Sequence, residues 1–255
     1  MEQSRDSFQE KVILPNLIRL LDVKKGTTIL DIACGQGYFA RAFNKKGAAV
    51  TGCDISPELI ELAKKHSPKE IGYFAAAADQ FMEILKNPNG RSVTDDKKKS
   101  DFPGFDAATI ILALQNIENI NGVFAECAEA LKSGGRLAIV LNHPAFRIPK
   151  RSSWSWDDAD KKQYRRIDGY MSDERLEMDM NPGESKGDRK KYTVSFHRPL
   201  QTYFKFLGKN GFVVTRLEEW ISHKTSQRGP RANEEDRMRK EIPLFIAIVA
   251  DKMAR

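Results

Sequence analysis

Five residues in the first third of the chain stand where bare backbone or a carboxylate can hold a ligand. Asp31, Gly35 and Gly37 lie in Ile29-Leu30-Asp31-Ile32-Ala33-Cys34-Gly35-Gln36-Gly37-Tyr38-Phe39-Ala40, an apolar run entering a glycine-rich turn. Glycines there permit a tight turn and let a ligand press against the main chain. Asp54 ends a second apolar run, 19 residues after Gly35. From that place a carboxylate accepts hydrogen bonds from ribose hydroxyls. Asp79 closes Ala75-Ala76-Ala77-Ala78-Asp79 after a third run, where a carboxylate can meet an adenine amino group. A glycine turn alone also occurs in ordinary strand–helix connections. Three acids at the carboxyl ends of neighbouring strands point instead to a nucleoside-bearing ligand.

Two histidines are candidates for proton transfer or for orienting a reacting group. His143 leaves an apolar run in Asn142-His143-Pro144, and His197 stands in Ser195-Phe196-His197-Arg198-Pro199-Leu200. The alternatives are that His143 caps its turn and that His197 packs at the start of a helix. His66 and His223 lie in polar stretches and carry no expectation.

Several elements must position these residues. Phe8, Val12, Ile13, Leu17, Leu20 and Leu21 have helical spacing broken by Pro15, which predicts one kinked helix or two short ones. Strands are expected at 28–32, 49–53, 71–76, 105–112 and 136–141. Helices are expected at 38–46, at 57–65 with Ser56 as N-cap, at 80–85 and at 122–131. Near-continuous apolar strands alternating with helices imply a parallel sheet covered on both faces. Residues 87–104 read as a surface loop, and 144–198 show no clear period. A helix at 199–209 follows, then strands at 212–220 and 242–252. The connection 221–241 holds no helix long enough to cross a sheet, so these two strands are expected to pair as an antiparallel hairpin.

Composition narrows the class further. Apolar residues make up 40% of 255, enough for a full core. No run is apolar enough to span a membrane, and the opening residues lack a secretory core. Three cysteines with no CxxC pair argue against a disulfide framework or structural zinc and for the cytoplasm. The net charge of +7 favours anionic partners only weakly, because it is spread along the chain.

The motif Asp31-x-Ala33-x-Gly35-x-Gly37, with Asp54 and Asp79, resembles the class I S-adenosylmethionine-dependent methyltransferases, notably their small-molecule members. The likeness is strong over 25–145 and looser over 199–252. Ala33 replaces the first glycine of the strict motif. The resemblance implies a doubly wound α/β, Rossmann-like seven-stranded sheet, with a C-terminal antiparallel hairpin and an insertion after the fifth strand. It also implies one methyltransferase domain over 1–255. Asp31 and Gly35 would hold the amino-acid end of S-adenosylmethionine, Asp54 the ribose with Ile55 beside the adenine, and Ala78 and Asp79 the adenine. Leu112 and Ala113 would line the methionine portion. The reaction needs no metal.

A nicotinamide-dependent oxidoreductase is the rival, since Gly35-Gln36-Gly37-Tyr38-Phe39-Ala40 fits its fingerprint too. The antiparallel end, the absence of a Tyr-x-x-x-Lys pair and the extra acid Asp79 count against it. A protein that binds the cofactor without catalysis is a third reading.

The insertion 144–198 is expected to be a lid over a small acceptor, aromatic or anionic, touched by Phe146, Trp154, Trp156, Tyr164, Arg165 and Tyr170. These aromatics could equally form the lid's own core. Trp154 and Trp156 are expected to face opposite ways. Nucleic acid is not favoured as a partner. Leu114-Gln115-Asn116-Ile117 replaces the Asn/Asp-Pro-Pro-Tyr/Phe segment of base-amino methylating enzymes, and Cys127 is mid-helix. RNA or protein methylation stays the alternative. The charge runs Asp95-Asp96-Lys97-Lys98-Lys99 and Arg189-Lys190-Lys191 read as solvated loops.

Overall fold

The computed structural model describes residues 6–87, 102–179 and 192–254. A π-helical stretch, Gln9–Ile13, runs into α1 (Leu14–Leu21). Pro15 lies in the first turn of α1 and offers no N–H to the turn before it, so the helical register changes there. Then come β1 (Thr28–Ile32), α2 (Tyr38–Lys45), β2 (Ala49–Asp54), α3 (Pro57–His66), β3 (Gly72–Ala75), α4 (Met82–Lys86) and β4 (Phe105–Ile111). Ser56 caps α3 by accepting from the Leu59 N–H, and Pro57 opens the helix. A 3-10 turn, Leu114–Asn116, precedes α5 (Ile120–Ala130) and β5 (Leu131–Asn142). The segment after β5 forms β6 (Ser152–Asp157), β7 (Lys162–Ile167), β8 (Glu174–Asp179) and β9 (Tyr192–His197). The remaining elements are α6 (Leu200–Lys209), β10 (Phe212–Trp220), α7 (Ala232–Glu241) and β11 (Phe245–Lys252).

Seven strands make one sheet in the order β10-β11-β5-β4-β1-β2-β3. β1 to β5 are parallel, whereas β11 pairs antiparallel with both β5 and β10. This is the doubly wound, Rossmann-like sheet with its antiparallel end that the sequence predicts. Its central strands are apolar on both faces because each face meets helices. Leu137, Ile139 and Leu141 of β5 join one core with Phe124 of α5 and Leu207 of α6. The intervening Ala138 and Val140 join the other core, with Leu17 of α1 and Phe43 of α2.

Two expectations need correction. The connection 221–241 does contain a ten-residue helix, α7. None of its residues is buried, so it shows no apolar stripe to read. It packs beside β7 rather than across the sheet, so the antiparallel pairing stands. The insertion also has regular structure, two antiparallel hairpins, β6–β7 and β8–β9. Among the described residues no helix is long and apolar enough to cross a membrane.

Candidate functional site

The strand β1 delivers Asp31 to the carboxyl edge of the sheet, where the residue is only 2% exposed. Its Oδ1 accepts from Thr109 Oγ1 at 2.7 Å, while the buried Oδ2 has no partner. Burial raises this carboxyl to about 7, and the Thr109 hydrogen bond offsets only part of that. A cavity of about 190 Å³ opens here, bounded by Asp31, Ala33, Gly35, Tyr38 and Ile111 and closed from the N-terminal side by Ser7 and Gln9. A buried carboxylate oxygen without a donor calls for a cation or an N–H from a ligand.

Ala33, Gly35 and Gly37 all have left-handed backbone, with φ of 55°, 55° and 77°. Glycine adopts this freely, whereas alanine at 33 carries a penalty of roughly 1 kcal/mol. Space above Gly35 is open, but a side chain on Gly37 would collide with the Tyr73 hydroxyl. The Tyr73 hydroxyl is tied to Ser67 Oγ at 2.9 Å, and its ring also lies over Gly52, where a Cβ would stand 2.8 Å from the ring.

Asp54 at the end of β2 accepts the Gly35 N–H on Oδ2 at 2.8 Å and the Ser56 N–H on Oδ1 at 3.0 Å. It therefore ties the glycine turn to the neighbouring strand, and each oxygen keeps a second lone pair. A cavity of about 420 Å³ continues past it, with an alanine shelf (Ala76, Ala77, Ala78), Asp79, Asn119 and the exposed Ile55 on its walls. Asp79 accepts from Asn119 Nδ2 at 3.0 Å, and Asn119 in turn caps α5. Ala33 lines both cavities. Together they form a trough across β1, β2 and β3 with an anionic end and an apolar shelf. S-adenosylmethionine, with an ammonium at its amino-acid end and a flat adenine, fits that donor and acceptor pattern.

A further cavity of about 200 Å³ lies beyond β4 and β5, under the insertion. After β4 it is walled by Leu112, Gln115 and Asn116, and after β5 by Asn142, Pro144, Arg147 and Pro149. The hairpin β8–β9 and its exit contribute Met178, Thr193, Ser195, Phe196, His197 and Arg198, and α6 contributes Tyr203. Leu112 thus faces this cavity, while Ile111 lines the trough. Ala113 packs against the core.

His197 is buried, and its Nε2 donates to the Tyr170 carbonyl at 2.9 Å, since a carbonyl can only accept. In the neutral ring Nδ1 then carries the lone pair. The neighbouring Arg198 donates to the carbonyls of Ile117 and Glu118 at 3.0 and 2.7 Å and fixes the segment after β4. His143 is also buried but does not line the cavity. Its Nδ1 accepts the Ala145 N–H at 3.2 Å, and its Nε2 meets Glu219 Oε1 at 2.7 Å. Burial pulls this imidazole below its ordinary value, against the pull of Glu219.

None of the six expected acceptor contacts is among the described lining residues. Phe146 stacks on His143, with ring centroids 4.6 Å apart. Arg165 donates to the Phe146 carbonyl and to Ser152 Oγ. The guanidinium groups of Arg147 and Arg165 both lie over the Trp154 ring, at 5.7 and 5.1 Å from its centroid. Trp156 lies under Arg231, and Tyr164 is exposed. Tyr170 braces the site, its hydroxyl accepting the Leu200 N–H at the start of α6. Trp154 and Trp156 are two apart on β6 and so share a face, contrary to expectation. The sequence reading also missed Ser7, Gln9, Tyr73 and Gln115 as residues at or beside these cavities. Both charge runs lie outside the described residues.

Residues 30–137 match the family described as a methyltransferase domain. The demethylmenaquinone methyltransferase of Tropheryma whipplei (strain Twist) is 33% identical over 128 residues, covering 49% of this chain and 46% of that protein. The ubiquinone biosynthesis O-methyltransferase of Coxiella burnetii (strain Dugway 5J108-111) is 34% identical over 116 residues, covering 44% and 42%. The chain thus spans less than half the length of these relatives. The solved S-adenosylmethionine dependent methyltransferase from Mesorhizobium loti is 26% identical, with a TM-score of 0.67 over 96% of this chain and 100% of that one. With the glycine turn, the three acids and this sheet order in place, residues 30–137 match a methyltransferase domain, and the fold as a whole is similar to that of the solved S-adenosylmethionine dependent methyltransferase.

Proposed function

We propose that the chain is an enzyme that methylates the oxygen or nitrogen of a small molecule held between the sheet edge and the hairpins of 144–198, the whole chain acting as one unit. One observation carries this reading: a partly open cavity of about 200 Å³ adjoins the cofactor trough at the end of β4, where Ile111 lines one and Leu112 the other. That volume suits a small acceptor. The names of the Tropheryma and Coxiella relatives, both acting in quinone pathways, agree with a small-molecule acceptor.

When bound, S-adenosylmethionine supplies a methyl on a sulfonium, which a nucleophile's electron pair captures while the carbon–sulfur pair returns to sulfur. In this reading the unpaired Oδ2 of Asp31 and the backbone of Gly35 hold its amino-acid end. Asp54 takes the ribose on its free lone pairs, while Ile55, Ala78 and Asp79 enclose the adenine. The protein's main contribution is alignment in a dry site. His197 accepts the acceptor's proton at Nδ1, its ring oriented by the Tyr170 carbonyl. His143 serves as the anchor of the turn after β5. The three cysteines are free, which suits a reducing compartment, so we place the enzyme in the cytoplasm.

The test is methyl-labelled S-adenosylmethionine incubated with the chain and an extract of the host cell, fractionated into small molecules, protein and nucleic acid. Label in the small-molecule fraction is expected. Label confined to protein or RNA overturns the acceptor class. No label anywhere, with S-adenosylhomocysteine failing to raise Tm, overturns methyl transfer itself.

A further inference from the structure

Two arginines line the cavity beyond β4 and β5, Arg147 and Arg198, and a third, Arg165, stands against Trp154 beside Arg147; of the three, only Arg147 makes no side-chain hydrogen bond to a described residue. Arg198 is spent on the carbonyls of the segment after β4, and Arg165 on Phe146 and Ser152. Arg147 lines the cavity, and its Nε is buried with no hydrogen-bond partner. Its guanidinium makes no ion pair with any described residue and is held only by the Trp154 ring. No Asp or Glu stands among the described lining residues. A half-buried guanidinium without a counter-ion is costly to keep in a folded chain. A second orphan belongs to a residue that lines the same cavity: Gln115 Oε1 is buried and accepts nothing. One wall thus lacks an anion and another lacks a hydrogen-bond donor.

We infer that the acceptor is a small organic carboxylate that also carries a hydroxyl or amine, its carboxylate paired with Arg147 and its O–H or N–H directed to Gln115 Oε1. The planar guanidinium edge matches a planar carboxylate better than a lysine ammonium would. The apolar remainder of the acceptor meets Leu112, Pro144, Pro149, Met178 and Phe196. This inference rests on methyl transfer to a small molecule and narrows it to one chemical class.

The experiment labels the small-molecule fraction of a host extract with the full chain, R147Q, R147K and Q115L. Products are resolved on an anion exchanger before and after esterification in acidic methanol. The expected product is retained as an anion and loses that charge on esterification. Its KM rises about tenfold or more in R147Q, and less in R147K. Q115L raises KM several-fold. S-adenosylhomocysteine should raise Tm in R147Q as in the parent, which shows that the fold and trough persist; should R147Q fail that control, R147K and Q115L carry the test. A neutral or cationic product, a phosphate that stays anionic after esterification, or an unchanged KM across the folded variants overturns the inference and leaves small-molecule transfer standing. No labelled small molecule at all, in a chain that binds S-adenosylhomocysteine, overturns both.

Discussion

Tyr73 lies directly over Gly37, so closely that a methyl group on residue 37 would collide with the tyrosine hydroxyl. The aromatic ring of β3 therefore acts as a lid on the glycine turn, held by Ser67. Gly37→Ala should cost about 2 kcal/mol, from overpacking and from its left-handed φ, and should weaken S-adenosylhomocysteine binding. Adding Tyr73→Ala should remove the collision but not the backbone penalty. Urea unfolding of both single variants and the double variant checks this. The double variant should be more stable than the sum of the singles allows, and additive losses would mean that the two residues do not meet.

The pH dependence of cofactor binding should report Asp31. In the free protein its carboxyl ionises only near pH 7, because burial disfavours the charge. The cofactor's ammonium needs the carboxylate. S-adenosylhomocysteine affinity should therefore be greatest above pH 7 and fall as pH drops through it, with one proton displaced per ligand bound. Calorimetry in buffers of different ionisation enthalpy measures that proton. Asp31→Asn should weaken binding and flatten the profile.

His197 is expected to matter for turnover and not for cofactor affinity. His197→Gln should lower kcat by about 10²-fold or more if proton removal accompanies transfer. Tyr170→Phe keeps the carbonyl that orients His197 and removes only the hydroxyl that accepts the Leu200 N–H. It should cost about 1 kcal/mol of stability with kcat nearly intact. Equal losses of kcat in both variants would contradict these separate roles.

His143 should leave its mark on stability. Its folded-state value lies below the ordinary histidine value, chiefly through burial. Below the ordinary value the unfolded chain takes up a proton that the folded ring resists. The ring's contribution is therefore present in full above the ordinary histidine range and is lost as pH falls through it. Urea midpoints at pH 8 and pH 5.5 should differ less in His143→Gln than in the parent.

The sheet was legible because its strands are buried on both faces. In β1, Ile29, Leu30 and Ile32 keep the run apolar around Asp31, and its bounds fall where expected. The glycine turn and its three acids were legible for a related reason: a left-handed turn and a strand-end carboxylate each demand a residue type. The insertion was not. In β7 the half-buried positions are Gln163, Arg165 and Ile167, so burial alternates while hydropathy does not. The helix α7 escaped because its pairs, such as Arg237 with Glu234, support it along its own surface without an apolar face. The cavity beyond β4 and β5 escaped because its walls come from four separate stretches of chain. That Arg147 Nε is buried without a hydrogen-bond partner is a property no spacing records.

The position of β11 has a consequence for the order of assembly during synthesis. It follows every other strand in the chain, yet it is the strand wedged between β5 and β10, with Phe245 through Ala250 all buried. The parallel half that carries the trough can begin to form on the ribosome, but the sheet cannot close until residue 252 has emerged. Until then β5 presents an open apolar edge to whatever is nearby. A ribosome stalled between β10 and β11 should leave a nascent chain that a chaperone holds, and emergence of the chain through Lys252 should set it free.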